Sequence, residues 1–186
     1  MRLFAAIDIA PQIQDRIERI QQQLNRDLKL SGNEVRWVQP GQVHLTLKFL
    51  GEMRDNLITQ VCDVVTRTAS EYESFDLRIH GLGVFGRPAR VVWVGCQVPP
   101  ELMKIQTRLE NEFEKIGWDK EHRPFAGHLT ICRVKSPAAG RSLAKAVESY
   151  ADEVIGSVSV DRLVLYESQL SRTGPEYNAV CTASLR

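Results

Sequence analysis

The feature that most restricts the fold of this chain is a short motif that occurs twice, as His44-Leu45-Thr46-Leu47 and as His128-Leu129-Thr130-Ile131. Each copy begins a segment in which apolar and polar side chains alternate, and a period of two is that of a β-strand. Residues two apart on a strand point to the same face, so each histidine shares a face with its threonine while the aliphatic neighbours face a core. Each copy also follows a long amphipathic helix. The chain is therefore predicted to form two similar lobes that face each other.

The remaining elements follow from hydrophobic periodicity and from the turn residues between the periodic segments. Strands are predicted over 2–9, 43–50, 75–85, 90–98, 128–134, 158–168 and 177–185, and helices over 13–28, 58–69, 100–116 and 141–150. Several strands are joined by short turns, which predicts an α+β fold with antiparallel sheets around a central cleft. No linker divides the sequence, so residues 1–186 are expected to form a single bilobal domain.

The composition excludes some classes of protein. The sequence has 24 lysine and arginine residues and 23 aspartate and glutamate residues, so the net charge is only +1. A protein that coats nucleic acid carries a clear basic excess, so contact with RNA is expected to be local, near one phosphate or one terminus.

The cysteines and the apolar segments indicate the cellular compartment in which the protein is expected. The four cysteines form no CxxC pair and are predicted to be free thiols of a reducing cytosol. The N-terminal segment reaches Asp8 too soon for a signal peptide, and no apolar run approaches the roughly 20 residues of a membrane span. A cytoplasmic protein is expected.

Two imidazoles and two hydroxyls on facing strands suit the cleavage of a phosphodiester. One imidazole takes a proton from water and the other gives one to the leaving oxygen, because the pKa of histidine lies near neutrality. The hydroxyls of Thr46 and Thr130 donate hydrogen bonds to the non-bridging oxygens as negative charge develops there. This chemistry needs no metal or other cofactor, and none is predicted.

The motifs and their flanking segments resemble a known group, the two-histidine (2H) phosphoesterases, and within it the RNA 2′,3′-cyclic phosphodiesterases, also called 2′-5′ RNA ligases. The resemblance rests on five segments, which are RLFAAID, VHLTLKFLGE, GVFGRPARVVWVG, RPFAGHLTICRV and LYESQLSRTGPEY. It implies two lobes related by a pseudo-twofold axis and a monomer that opens a terminal 2′,3′-cyclic phosphate to a 2′-phosphate. By the same resemblance His44 is the proton donor and His128 the proton acceptor, and RNA ends or tRNA fragments are the substrates. Some relatives also join RNA through a 2′-5′ bond.

Two further residues are predicted to bind substrate. The resemblance suggests that Arg133 contacts the phosphate or steadies the site. On an ideal strand it would face away from His128, so the strand must bend or the side chain must reach around. Phe125 is predicted to stack on a base, with packing in the core as the alternative.

Three neighbours of the motifs carry further expectations. Lys48 is expected on the face of His44 and Thr46 as a solvated lysine. Cys132 is expected on the face of His128 and beside the pocket. Gly127 stands where many relatives have proline, which would loosen the entry to the second motif strand unless a small residue suits this position, and both alternatives are open.

Two other functions compete with this one. A non-catalytic RNA-binding or nucleotide-binding module would keep the cleft, but both histidines and both threonines are intact. A metal hydrolase would use the histidines as ligands, but such a site needs a third protein ligand and none accompanies either motif.

Overall fold

The computed structural model describes residues 1–171 and 174–186. Arg172 and Thr173, within the segment LYESQLSRTGPEY, lie outside the described residues. Nine strands are seen in the described part, β1 Arg2–Asp8, β2 Val35–Trp37, β3 His44–Glu52, β4 Phe75–Phe85, β5 Val91–Gln97, β6 His128–Val134, β7 Val154–Val160, β8 Arg162–Leu170 and β9 Pro175–Ser184. The helices are α1 Pro11–Leu28, α2 Ile58–Ser70, α3 Pro100–Lys115 and α4 Pro137–Val147.

The strands form one continuous sheet in the order β7-β4-β5-β6-β3-β1-β8-β9, and β2 adds to β6. Every paired strand is antiparallel to its neighbour. The first lobe consists of β3, β1, β8 and β9, and the second of β6, β5, β4 and β7. The lobes join where Leu45 of β3 lies opposite Leu129 of β6. The predicted α+β fold with antiparallel strands is thus confirmed, with the two lobes sharing a sheet.

The helices cross between the lobes. Helix α1 follows β1 of the first lobe but packs against β7 and α4 of the second. Helix α3 follows β5 of the second lobe but packs against β3 and α2 of the first. The apolar stripes of both helices are buried, so each lobe's core is completed by a helix that the other lobe supplies. Among the described helices, none is long and apolar enough to cross a membrane.

Two predicted elements were wrong in extent. The strand predicted over 158–168 is two strands, because at Asp161 the chain leaves β4 of the second lobe and joins β1 of the first. The crossing contains no glycine or proline, so no turn residue marks it, and only the two successive polar residues Asp161 and Arg162 interrupt the alternation. Helix α4 begins earlier than predicted, at Pro137, because the Ser136 hydroxyl caps it by accepting a hydrogen bond from the Ala139 amide.

The expected exposure of Lys48 is also wrong, because a β-bulge interrupts β3. Thr46 lies opposite Ala6 and Lys48 opposite Ala5, which leaves Leu47 as the extra residue. The bulge turns Lys48 into the core, where it is only 6% exposed. Its ammonium lies 2.6 Å from the Glu110 carboxylate of α3 and also donates to the carbonyl of Asp119. This buried ion pair ties the first motif strand to α3 and to the segment that leads to the second motif.

We predict that Lys48→Met destabilises the protein by about 3–5 kcal/mol, because it leaves the Glu110 carboxylate buried without its cation. The double variant Lys48→Met/Glu110→Gln removes both charges and should therefore lose less stability than the single variant. Urea unfolding monitored by circular dichroism measures both. Arg162→Met, which breaks an exposed ion pair with Asp161, is the matched control and should change stability little. A single variant as stable as the wild type would contradict the role given to the pair.

Candidate active site

The two motifs meet at the centre of the sheet. Since Leu45 and Leu129 lie opposite each other on antiparallel strands, the register sets each histidine opposite the threonine of the other motif. Both leucines are buried. The histidine and the threonine that flank each leucine along its strand are half-buried on the opposite face of the sheet. The structure therefore brings four predicted residues to one face of the sheet, His44, Thr46, His128 and Thr130.

Both imidazoles are oriented in the same way. Nδ1 of His44 lies 2.8 Å from the carbonyl oxygen of Gln42, and Nδ1 of His128 lies 2.8 Å from that of Ala126. A carbonyl only accepts, so each Nδ1 carries the proton and donates it. Nε2 of each ring is then the nitrogen that gains or loses a proton in the cleft. Each histidine is built to act as an acid when charged and as a base when neutral.

The aromatic surroundings of the two histidines differ. The ring of His44 stacks on Phe4, with centroids 4.7 Å apart, and meets the edge of Tyr177 at 5.2 Å. The ring of His128 meets Phe85 edge to face at 5.0 Å. None of these three aromatic residues was predicted from the sequence. The pairing of β1 with β3 places Phe4 beside His44, but the sequence does not show which strands pair.

A bulge in β6 brings Arg133 to the face of the histidines. Thr130 lies opposite Trp93 and Cys132 opposite Val92, which leaves Ile131 as the extra residue. Arg133 follows opposite Val91, so it shares the face of Thr130, and its side chain is exposed. The strand therefore bends, which is one of the two alternatives that the sequence left open.

The same bulge makes the expectation for Cys132 wrong. Cys132 points into the core, where it is fully buried. Burial raises the pKa of its thiol to about 12. A thiol in this state is unreactive, so Cys132 has a packing role.

The segment before the second motif is closely packed. A side-chain carbon on Gly127 would lie 2.7 Å from a methyl carbon of Val98, so the glycine permits a close approach of the two strands. The Gly127 carbonyl also accepts a hydrogen bond from the Cys96 amide. Of the two alternatives for Gly127, the structure therefore shows the second, a small residue that suits the position. Phe125 is partly buried and packs against the hydrophobic core, and its contact with substrate stays a prediction.

Charged groups act on His44 from both sides. Asp8 lies opposite it on β1, and the Asp8 carboxylate accepts a hydrogen bond of 2.7 Å from the Tyr166 hydroxyl. Burial lowers the pKa of His44, and the guanidinium of Arg133 lowers it further. The hydrogen bond to Gln42 and the charge of Asp8 act in the opposite direction but do not cancel the effect.

The cavities beside the sheet differ in whether they adjoin the motifs. One of about 360 Å³ opens next to His44 and is lined by Asp8, Gln42, Tyr166 and Tyr177 among others. A larger one, about 520 Å³, is lined by Met53, Trp118 and neighbours and contains neither motif. The smaller cavity is the better candidate for part of the site, because His44 and Asp8 line it. Within residues 1–171 and 174–186, no three His, Cys, Asp or Glu side chains are grouped as a metal site would require.

Comparison with known sequences gives consistent matches along the chain. The sequence profile of the 2′-5′ RNA ligase superfamily matches residues 9–172. A protein of Methanothermobacter thermautotrophicus named RNA 2′,3′-cyclic phosphodiesterase is 35% identical over 179 residues, 95% of this chain and 95% of that protein. A protein of the same name from Thermotoga maritima is 33% identical over 183 residues, 97% of this chain and 93% of that protein.

Comparison with solved structures gives the same fold. The protein TT0787 of Thermus thermophilus has a TM-score of 0.81 at 25% identity, covering 100% of this chain and 98% of that one. E. coli LigT, in a complex with 3′-AMP, has a TM-score of 0.77 at 26% identity, covering 99% of this chain and 97% of that one. These matches confirm the predicted α+β fold with antiparallel strands.

We predict that NMR titration of the imidazole of His44 gives a pKa below the ordinary value for histidine, because burial disfavours the charged ring. Arg133→Gln should raise this pKa by removing a nearby positive charge, and Asp8→Asn should lower it further. Arg141→Gln, on the exposed side of α4, is the control and should leave the pKa of His44 unchanged. A titration of His44 at or above the ordinary value would contradict the described environment.

Proposed function

The chain belongs to the 2′-5′ RNA ligase superfamily, whose members are two-histidine phosphoesterases, and from this premise we propose that it is an RNA 2′,3′-cyclic phosphodiesterase. It opens the cyclic phosphate at an RNA end and leaves the phosphate on the 2′ oxygen. One observation carries the proposal: two imidazoles with Nδ1 fixed by backbone carbonyls share a face with two threonine hydroxyls. tRNA fragments with cyclic ends are proposed substrates.

The phosphate is proposed to sit over the Leu45–Leu129 pair. The hydroxyls of Thr46 and Thr130 donate hydrogen bonds to the non-bridging oxygens from opposite strands. Arg133 adds a positive charge on the same face. These contacts stabilise the charge that builds on the phosphoryl group as water attacks.

The two histidines divide the proton transfers. Neutral His128 accepts a proton from water at Nε2 while the water oxygen bonds to phosphorus. Protonated His44 gives its Nε2 proton to O3′ as the bond from phosphorus to O3′ breaks. The products are a 3′-hydroxyl and a 2′-phosphate, and the histidines have exchanged protonation states. A 5′-hydroxyl in place of water would form a 2′-5′ bond by the same transfers, which is the proposed weak ligation.

Substrate binding helps to charge His44. In the free protein its pKa is lowered, first by burial and also by Arg133. A phosphate anion placed between the two groups neutralises the field of the guanidinium and attracts a proton to the imidazole. Asp8 on the neighbouring strand favours the same charged form. The donor is therefore proposed to become fully active only when the phosphate is bound.

The location and assembly of the protein are proposals of the same kind. The four cysteines are free thiols, which agrees with a reducing compartment, so we place the enzyme in the cytoplasm. It is proposed to act as a monomer, because residues of one chain supply both motifs.

We predict that His44→Ala and His128→Ala each lower turnover of a cyclic-phosphate RNA at least ~10²-fold, since each removes one proton transfer. Thr46→Ala and Thr130→Ala should be milder, because each removes one hydrogen bond. A substrate with an activated leaving group should rescue His44→Ala but not His128→Ala, and the opposite pattern would reverse the two roles. His80→Ala and His122→Ala, at exposed positions, are the controls and should keep full activity. Full activity in a histidine variant would end the two-histidine mechanism, and a wild type that binds the RNA end without turnover would favour a non-catalytic binding module.

We also predict that turnover survives treatment with a strong chelator, because two imidazoles supply both proton transfers. The assay compares chelator-treated protein with protein to which zinc or manganese is returned. Activity that disappears with chelator and returns with either ion would favour a metal hydrolase.

A further inference from the structure

The Asp8 carboxylate is anchored beside His44 by a distant part of the chain. Asp8 is the last residue of β1, is exposed, and lies directly opposite His44 of β3. An exposed aspartate changes rotamer freely unless a partner holds it. Here the Tyr166 hydroxyl of β8 donates a hydrogen bond of 2.7 Å to Oδ1 of Asp8, across a separation of 158 residues in the sequence. The direction of the carboxylate therefore depends on Tyr166.

Tyr166 is itself held in place. Its ring stacks on Phe4, with centroids 5.5 Å apart, and the Phe4 ring stacks in turn on His44. Burial raises the pKa of the Tyr166 hydroxyl, and the hydrogen bond to Asp8 raises it further, so the hydroxyl stays protonated and is able to donate. Tyr166 thus acts on His44 through the two residues that it contacts, Asp8 and Phe4.

The second lobe has a glycine where the first has the aspartate. Gly95 of β5 lies opposite His128 as Asp8 of β1 lies opposite His44. A side-chain carbon on Gly95 would lie 2.7 Å from the carbonyl oxygen of His80. This position therefore has no room for a carboxylate.

The tyrosine also has an apolar counterpart. Tyr166 lies opposite Phe4 of β1, and Phe85 lies opposite Val91 of β5. Phe4 and Val91 correspond, because each lies opposite the residue five positions beyond a motif histidine. Phe85 contacts the ring of His128 but has no hydroxyl. The matching positions of the second lobe thus provide neither the acid nor the group that orients it.

We propose that Tyr166 is a positioning residue that holds the Asp8 carboxylate towards His44 and thereby makes His44, and not His128, the proton donor. This inference rests on the proposed function. A donor must begin charged, and a carboxylate held nearby stabilises the charged imidazole. An acceptor must begin neutral, which suits a histidine that faces Gly95. The two motifs are alike in sequence, so their roles are assigned by the neighbouring strands.

Other groups contribute to the charge around His44. Charged or titratable side chains of three further strands act on His44 or on Asp8, or line the same cavity, and these are Arg133 of β6, Arg162 of β8, and Glu176 and Tyr177 of β9. The substitutions used in the test leave all of them in place. A change in the titration of His44 therefore reports on the bond between Tyr166 and Asp8.

The test is the titration of the His44 imidazole, followed by NMR with and without adenosine 2′-monophosphate. Tyr166→Phe removes the hydroxyl and keeps the ring, so it should lower the pKa of His44 by about 0.3 to 1. In an Asp8→Asn background the same substitution should have no further effect, because no carboxylate is left to orient. Tyr72→Phe removes a hydroxyl that is bonded to the carbonyl of Lys104, and this matched control should leave the pKa of His44 unchanged.

Turnover provides a readout that a purely structural role would not move. At a pH above the titration of His44, Tyr166→Phe should lower turnover of an RNA with a cyclic-phosphate end by about 2-fold to 10-fold, because a smaller fraction of the donor is charged. Turnover of a substrate with an activated leaving group should be retained, because that leaving group needs no proton.

Three outcomes would overturn the role of Tyr166. These are an unchanged titration of His44 in Tyr166→Phe, a lowered pKa that persists in the Asp8→Asn background, and an equal loss of turnover with both substrates. The NMR measurement does not depend on turnover. A wild type without turnover, in which Tyr166→Phe lowers the pKa of His44 through Asp8, would refute the proposed activity and support the positioning of the carboxylate.

Discussion

The pairing of Leu45 with Leu129 is the contact on which the arrangement of the site depends. It joins the lobes into one sheet and sets each histidine opposite the threonine of the other motif. Because strand side chains alternate, a slip of one residue would turn the histidines and threonines into the core and the leucines into the cleft. Burial of both leucines opposes that slip. The acid-base geometry is therefore specified by apolar packing on the far side of the sheet.

The two β-bulges add what alternation alone does not provide. Each lies directly after the motif threonine, at Leu47 and at Ile131, and each reverses the faces of the residues beyond it. Lys48 and Cys132 are thereby turned inward, and Phe49 and Arg133 outward. One backbone irregularity, used twice, adds a third side chain to the face of each strand that carries the motif histidine. Bulges beside active sites commonly re-aim side chains in this way.

Much of the fold and the centre of the site could be predicted from the sequence. The strand and helix periods, the duplicated motif and its flanking segments indicated the α+β lobes and the four polar side chains on one face. The positions of Lys48 and Cys132 could not be predicted, because a bulge inserts one unpaired residue and reverses the faces beyond it, and no local pattern shows where the insertion falls. The break at Asp161 was missed because no glycine or proline marks it, and two successive polar residues are a weak signal for the end of a strand. Strand pairings between distant segments bring three further residues to the histidines, Asp8, Phe4 and Phe85. A local sequence pattern does not indicate such pairings.

The crossed helices α1 and α3 have a consequence for the ancestry of such a chain. Each lobe alone would lack part of its core, since one of the helices that cover its sheet comes from across the junction. A half-length ancestor would have needed to exchange helices with a second copy in a twofold-symmetric dimer. Gene fusion would then have released the two copies from identical sequence. The present differences, Asp8 and Phe4 beside one histidine and Phe85 beside the other, are the asymmetry that a symmetric dimer cannot have and that a donor and an acceptor require.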